Sequence, residues 1–315
     1  MTSDNVSNGT IVLIHGLWMT PLSWEYWIDH LKRKGYTVLA PGWPGVDDRT
    51  PQQIRDDPKP MANKSIDEIC NHYTDIITRL PEPPIIIGHS FGGLFVQILL
   101  SRGLGSVGIA ICPANPAGVF ALPLSTVRAT LPVLSNPFDY ESTVKISESE
   151  FRYCFGNTVS EEESKALYDR YSIPSIAHVL WQGAIGGIVH PKGVLHVNFD
   201  KSDRAPLLLI SGSKDHVVPP QTVKKELKVY QKGSGFVEYK EFEGRSHGIV
   251  NEKGWEEVLE YALEFVKRIY QWQIATLSSI NVWVRLENQV SYQSKKLEAA
   301  YIPSGILYEP LLWGI

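Results

Sequence analysis

The stretch Gly88-His89-Ser90-Phe91-Gly92 joins two apolar runs of different length. The short run Pro84-Ile85-Ile86-Ile87 precedes it, and a longer run from Leu94 to Leu100 follows it. This order predicts a strand, a tight turn and a helix. Glycine at both ends of the stretch suits such a turn, because a larger side chain would collide with the backbone. A G-x-S-x-G sequence in this setting is typical of a nucleophile elbow, which presents Ser90 at the carboxyl end of the sheet.

Runs of strand length alternate with longer periodic segments on both sides of this stretch. We predict strands at Thr10–Ile14, Thr37–Ala40, Pro84–Ile87, Val107–Cys112, Pro206–Ile210 and Phe236–Glu241. We predict helices at Ser23–Lys34, Ile66–Arg79, Phe91–Arg102, Gln221–Tyr230 and Trp255–Tyr270. The alternation predicts an α/β fold with a mostly parallel sheet flanked by helices.

The alternation lapses between residues 114 and 203. Ser160 and Glu163 have the spacing of a capping box for a helix that ends near Tyr171. Ser175 is expected to cap a second helix, which stops at Gly186-Gly187. The sequence therefore predicts an inserted, mainly helical lid.

This pattern divides the chain into three parts. Residues 1–113 and 204–270 form the predicted core, and residues 114–203 form the predicted lid. Residues 271–315 form a carboxyl-terminal extension of unknown role, in which Val282, Val284 and Leu286 alternate like a short strand.

Charge and composition narrow the class of partner. The 315 residues carry a formal net charge of -4, with no basic footprint for nucleic acid and no polybasic segment for a membrane surface. We therefore expect a small-molecule substrate, with neither a nucleic acid nor a membrane as partner. The polar opening Met1-Thr2-Ser3-Asp4-Asn5 lacks the features of a secretory signal, which predicts a cytoplasmic protein.

The cysteine and metal-ligand patterns give no indication of a disulfide framework or a bound metal ion. Cys70, Cys112 and Cys154 are odd in number and widely spaced, which argues against a disulfide framework or a thiolate metal site. No H-E-x-x-H spacing occurs. We expect free thiols and no metal.

A serine hydroxyl needs a base and an acid that orients the base. Asp215 follows the predicted strand that ends at Ile210, and His247 follows the predicted strand that ends at Glu241. Both therefore lie in loops at the carboxyl end of the sheet, and the chain order is Ser90, Asp215, His247. His216 is less suitable as the base because it directly follows Asp215. His89 is expected to point to the side opposite Ser90, since neighbouring side chains alternate in a strand.

The segment Ile11-Val12-Leu13-Ile14-His15-Gly16-Leu17-Trp18 supplies the other half of a candidate site. The backbone N–H groups of Leu17 and Phe91 are the candidate donors of an oxyanion hole. His15 is interpreted as the residue that holds this loop. Candidates for substrate contact are Trp18, Tyr171, His178 and Trp181.

These motifs, in this order on these elements, resemble those of the α/β-hydrolase fold superfamily, over Thr10 to about Tyr270. The short amino-terminal lead is similar to that of a compact branch with esterases, plant methylesterases and hydroxynitrile lyases. The resemblance implies a serine hydrolase that forms an acyl-enzyme and uses neither a metal nor an organic cofactor. The aromatic residues of the predicted lid, over an otherwise neutral site, favour a small, moderately apolar ester, thioester or lactone as substrate, and we expect a monomer or homodimer.

Two alternatives stay open, because a fold does not fix a reaction. The first is a lyase or carbon-carbon bond hydrolase that uses the same triad. The second is a ligand receptor or scaffold with slow turnover.

Overall fold

The computed structural model describes residues 8–276, and its centre is a sheet of six parallel strands in the order β2-β1-β3-β4-β7-β8. In chain order the strands are β1 (Thr10–Ile14), β2 (Thr37–Leu39), β3 (Ile85–His89), β4 (Val107–Ile111), β5 (Thr143–Val144), β6 (Ser175–Ile176), β7 (Leu207–Gly212) and β8 (Val237–Phe242). The two short strands β5 and β6 form a separate antiparallel pair. The inner strands β3, β4 and β7 are buried throughout, which is why their sequences are continuous apolar runs.

The helices cover this sheet, and four of them lie in the segment between β4 and β7. In chain order they are α1 (Glu25–Arg33), α2 (Pro51–Asp56), α3 (Ile66–Thr78), α4 (Phe91–Ser101), α5 (Leu124–Leu134), α6 (Glu148–Cys154), α7 (Glu161–Tyr171), α8 (Ala177–Val189), α9 (Pro220–Tyr230) and α10 (residues 255–276). Within the described residues, no helix is both long and apolar enough to cross a bilayer.

The chain divides into two compact units, and the division falls between Phe265 and Val266 in the sequence of α10. The first ends at Phe265 and contains the sheet and helices α1 to α9. The described part of the second, residues 266–276, continues as helix beyond the predicted end at Tyr270. The strand-like alternation at Val282, Val284 and Leu286 lies outside the described residues.

The predicted fold class is confirmed, with each predicted strand of the main sheet displaced by at most two residues at either end. The prediction ended the strands before Ser90 and Asp215 too early, because β3 continues to His89 and β7 to Gly212. The added ends of these two strands contain glycine or histidine. A prediction from runs of apolar residues stops before such residues. The division into core, lid and extension stays a prediction.

The helices between β4 and β7 differ from the prediction in two details. Ser160 does cap α7 by accepting from the Glu163 N–H, but the return bond of a capping box is not formed among the described residues. Ser175 caps no helix, because it lies in β6, and α8 begins two residues later. The pair Gly186-Gly187 does not end α8 either. An added Cβ at Gly187 would lie 3.2 Å from Ala117, so these glycines permit close packing inside the helix.

The core behind the sheet contains an unpaired acid, Glu226 of α9. Its side chain is fully buried, and neither carboxyl oxygen has a hydrogen-bond partner among the described residues. Nearby, the Tyr230 hydroxyl donates to Gln97 Oε1 at 2.9 Å. Burial therefore raises the pKa of Glu226 well above its ordinary value, and the folded protein retains a proton that the unfolded chain loses.

We expect Glu226→Gln to stabilise the protein, increasingly so as pH rises. The unfolded carboxyl releases its proton above its ordinary pKa of 4.5, which favours unfolding of the wild type but not of the amide variant. The difference in free energy of unfolding between Glu226→Gln and the wild type should grow by up to about 1.4 kcal/mol per pH unit until the pKa of Glu226 in the folded protein is reached. Denaturant unfolding of both proteins from pH 5 to pH 9 measures it.

The exposed Glu256→Gln variant is the matched control and should leave the pH dependence of unfolding as in the wild type. A gain from Glu226→Gln that is constant across pH would contradict the prediction.

Candidate active site

Ser90 lies at the turn between β3 and α4 with a left-handed backbone, φ 57° and ψ -120°. Its N–H donates to the Ile111 carbonyl at 2.9 Å, which fixes the turn to the end of β4. A Cβ at Gly88 would collide with the backbone of Gly92, and a Cβ at Gly92 would collide with the carbonyl of Ile14. The turn therefore requires glycine at both positions and stores strain at the serine between them.

Asp215 and His247 form a buried pair at the ends of β7 and β8. The His247 Nδ1–H donates to Asp215 Oδ2 at 2.7 Å. The other carboxylate oxygen, Oδ1, accepts from the N–H groups of Val217 and Val218 at 2.7 and 2.8 Å. These bonds fix both the carboxylate and the tautomer of the imidazole, which leaves Nε2 as the proton acceptor.

The Nε2 atom of His247 is buried and has no hydrogen-bond partner in the described part of the chain. Ser90 and His247 are brought to the same end of the sheet, but no hydrogen bond joins them in this structure. Such bonds are often long before substrate binds and shorten in the complex. The predicted base thus has an unused acceptor beside the turn that carries Ser90.

His89 does not point away from the site, contrary to the alternation argument. Its Nε2–H donates to the main-chain oxygen of His247 at 2.8 Å, and the two rings lie 4.7 Å apart. Strand alternation fails here because the chain leaves the strand geometry at Ser90. Burial lowers the pKa of His89 well below its ordinary value, so this neutral ring supports the position of His247.

Cys112 is a third buried group beside the pair. Its sulfur, a carboxylate oxygen of Asp215 and a ring nitrogen of His247 lie within 4.8 Å of one another. This is the set that could hold a metal ion among the described residues. Burial raises the pKa of the Cys112 thiol well above its ordinary value, which disfavours the thiolate that a metal requires. Both oxygens of Asp215 already accept hydrogen bonds, so the set fits a metal poorly.

The loop after β1 passes directly over Ser90. An added Cβ at Gly16 would lie 2.8 Å from the Ser90 Cβ and 3.4 Å from its Oγ. The N–H groups of Leu17 and Phe91 have no hydrogen-bond partner among residues 8–276, so two main-chain donors next to this serine are unused. These two amides stay the candidate donors to an anion formed on a carbonyl at Ser90.

His15 determines how this loop is held. Its Nε2 accepts from the Trp43 N–H at 3.3 Å, so its Nδ1–H donates to the Gly16 carbonyl at 2.9 Å. Desolvation lowers the pKa of His15 to about 4, which keeps the ring neutral for both bonds. In a trans peptide the Gly16 carbonyl and the Leu17 N–H point in opposite directions. The hydrogen bond from His15 to the Gly16 carbonyl therefore also orients the Leu17 N–H.

A cavity of about 330 Å³ opens at Ser90 and Phe91. Its walls come from the segment after β4, from α5 and α8, and from the loop after β7. Apolar members of the lining include Ala117, Val119, Leu134, Leu180, Leu195 and Val218. Sequence analysis missed these residues. The run of small and apolar residues from Ala114 to Leu122, directly after a strand of the sheet, is a signal that could have identified Ala117 and Val119.

The four side chains predicted to touch substrate are not among those that line the cavity. The Trp18 indole N–H donates to the Val144 carbonyl at 3.2 Å, and the Tyr171 hydroxyl donates to Glu25 at 2.6 Å. His178 lies 3.1 Å from Asn63 Oδ1, and Trp181 is half-buried near the ring of Tyr140. Their contact with substrate stays a prediction.

Several solved structures have a fold similar to that of this chain. Tomato methylketone synthase I complexed with 2-tridecanone has a TM-score of 0.59 at 15% identity, over 82% of this chain and 98% of that one. Paleococcus ferrophilus monoacylglycerol lipase has a TM-score of 0.56 at 19% identity, over 82% and 94%. An extracellular alpha/beta-hydrolase from a Paenibacillus species has a TM-score of 0.56 at 18% identity, over 81% and 98%.

At these identities the likeness shows a shared fold alone. A comparison with curated proteins finds no match to this sequence. The model of the Alpha/beta hydrolase family matches residues 11–261, a range that includes Ser90, Asp215 and His247. Since this match spans most of the chain, the protein belongs to the alpha/beta hydrolase family.

Proposed function

We propose that this protein hydrolyses small, moderately apolar carboxylic esters, thioesters or lactones through an acyl-enzyme on Ser90. The observation that carries the proposal is the bond between His247 and Asp215, which leaves a buried, unused Nε2 acceptor beside a serine in an elbow turn. Membership of the family supports hydrolase chemistry. The mostly apolar cavity at Ser90 supports an apolar acyl or alcohol group.

In the proposed reaction Ser90 Oγ attacks the carbonyl carbon and its proton moves to His247 Nε2. The oxyanion accepts hydrogen bonds from the N–H groups of Leu17 and Phe91. His247 then gives the proton to the leaving alcohol or thiol, and the acyl-enzyme forms. A water molecule, deprotonated by His247, attacks the acyl carbon, and His247 returns the proton to Ser90 Oγ as the acid is released. Asp215 holds the imidazole and stabilises its charged form.

Covalent labelling with a fluorophosphonate tests this proposal. We expect intact mass and peptide mapping to place one label on Ser90 of the wild type, beside turnover of p-nitrophenyl acetate. Ser90→Ala should take up no label. A well-folded wild type that takes up no label and turns over no ester would contradict the proposal and favour a receptor or scaffold.

Trapping the intermediate distinguishes the proposed ester hydrolase from the lyase alternative. A hydrolase of the proposed kind should show a burst of p-nitrophenol equal to the enzyme concentration when deacylation is slow. A lyase forms its product without consuming water and without an acyl group on Ser90. Mass spectrometry of the quenched enzyme distinguishes these outcomes.

We expect His15→Phe to lower kcat for a simple ester by roughly 10- to 100-fold, with KM changed by less than about twofold. The phenyl ring can still stack on Trp43, as His15 does at 4.8 Å, but it cannot hold the Gly16 carbonyl. The Leu17 N–H then loses its fixed direction toward the transition-state oxyanion. Steady-state kinetics together with a denaturant unfolding curve measure both effects.

The control is His30→Phe on α1, which removes a 2.7 Å bond to Glu260 away from the site. It should leave kcat unchanged. If His15→Phe lowers stability but leaves kcat intact, the role of His15 is structural only.

A further inference from the structure

Exposed apolar side chains are concentrated around the mouth of the cavity. Phe120 and Leu122 both line the cavity and are 62% and 76% exposed, so they form its rim. Leu124, at the start of α5, is 88% exposed, and Phe138, four residues after the end of α5, is 95% exposed. Together with Leu131, these residues form what we call the rim face. Large exposed apolar groups that adjoin one another mark interaction surfaces in soluble proteins.

Helix α5 shows how the rim face and the cavity are connected. One side of this helix lines the cavity, through Thr126, Thr130 and Leu134. A second side is buried, through Ala129 and Val133. The third side points outward, through Leu124, Val127 and Leu131 at helical spacing. Ile185 and Val189 of the neighbouring α8 are also exposed. The outer side of this helix, between solvent and cavity, is thus mainly apolar, with Arg128 as its exposed charged residue.

The charge around the rim face differs from that of the chain as a whole. The protein has 34 acidic residues and a net charge of -4, yet residues 112–138 and 170–199 contain no aspartate or glutamate. Arg128 and Lys192 lie in these segments and are exposed, and Lys225 lies at the cavity. Helices α5 and α8 therefore contain no carboxylate, although Asp139 directly follows Phe138, while Arg128 and Lys192 are retained in these segments. This combination is complementary to a lipid surface, anionic lipids included.

We propose that the rim face docks on a lipid surface and that the substrate is an acyl ester that enters the cavity directly from it. The substrate clause rests on the proposed function, whereas the docking clause does not. The sequence has no polybasic segment, and for that reason the sequence predicts no membrane partner. Burial of apolar side chains in the interfacial region needs no such segment.

A second copy of the chain is the competing occupant, and the geometry disfavours it. Phe120 and Leu122 belong to both the rim face and the cavity lining. A protein seated on the face would therefore cover the mouth through which substrate must pass. A lipid surface in contact with the mouth of the cavity contains the substrate, so docking there does not block substrate entry.

Vesicle cosedimentation of the Ser90→Ala protein tests docking without turnover. The probes are vesicles of phosphatidylcholine, alone and with one fifth phosphatidylglycerol. We expect partition into both pellets, stronger with the anionic lipid. Leu124→Glu with Leu131→Glu should reduce the partition coefficient at least about tenfold, and the Leu124→Gln with Leu131→Gln pair should reduce it less.

The charge-matched control is Thr78→Glu with Gln231→Glu, two exposed positions at the carboxyl ends of α3 and α9, away from the cavity. It should bind vesicles like the parent. Absence of vesicle binding by the folded parent would overturn the proposal. A concentration-dependent dimer in sedimentation velocity that the glutamate pair abolishes, without vesicle binding, would assign the face to a second copy.

Turnover separates the two proposals. The glutamate pair in the Ser90 protein should hydrolyse soluble p-nitrophenyl acetate like wild type, but should lose at least about tenfold on a long-chain p-nitrophenyl ester in vesicles. An equal loss of hydrolysis rate on both esters would contradict the proposal that the substrate enters from a lipid surface. Vesicle binding without any ester turnover would contradict the proposed function and leave docking intact.

Discussion

Ser90→Ala is expected to lower kcat for p-nitrophenyl acetate by at least about 10⁴-fold and to leave the fold intact. The Ser90 side chain makes no capping bond to α4, and His247 Nε2 already lacks a partner among the described residues, so removal of the hydroxyl leaves no further buried group unsatisfied. Alanine has the same Cβ as serine and adds no new clash in the strained turn. The unused amides of Leu17 and Phe91 remain, so some activity above the uncatalysed rate should persist.

Initial rates and circular dichroism melts measure the two parts of this expectation. The control is Ser164→Ala, because Ser164 is also buried and its hydroxyl lacks a partner among the described residues. That variant should keep wild-type kcat. A Ser90→Ala protein that retains a tenth or more of wild-type kcat would assign the nucleophile to another group.

Asp215→Asn is expected to lower kcat by roughly 10⁴-fold with little loss of stability, because it changes the tautomer of His247. The N–H groups of Val217 and Val218 require an acceptor, so the amide oxygen takes the place of Oδ1. The amide NH₂ then faces His247 Nδ1, where Oδ2 stood in the wild type. Nδ1 must accept, the ring proton moves to Nε2, and the base can no longer take the proton of Ser90.

Kinetics and denaturant unfolding of this variant check both statements. Asp200→Asn, at an exposed position, is the control for loss of one negative charge and should have wild-type kcat. A rate for Asp215→Asn within tenfold of wild type would mean that another acid orients the base. Two-dimensional NMR of the imidazole nitrogens would show the expected proton shift from Nδ1 to Nε2.

The sequence determined the fold class and the strand ends that carry Ser90, Asp215 and His247. Continuous apolar runs specify buried parallel strands, and parallel strands present their carboxyl ends at one edge of the sheet. Glycine at 88 and 92 specifies the turn at Ser90, since any side chain there meets backbone. The apolar runs and the contact of Gly88 with Gly92 involve residues close together in the chain, whereas the need for glycine at 92 comes from Ile14 in β1.

The tertiary structure alone decided what surrounds those strand ends. Ser175 has a capping residue's chemistry, but pairing of β6 with β5 takes it into a strand. The contact of His89 with His247 joins residues 158 positions apart, and no local pattern encodes it. The cavity lining was missed for the same reason, because the side of a helix that faces a cavity depends on what packs against its other sides. Local periodicity specifies that an element exists, whereas long-range packing decides which of its side chains meet a substrate.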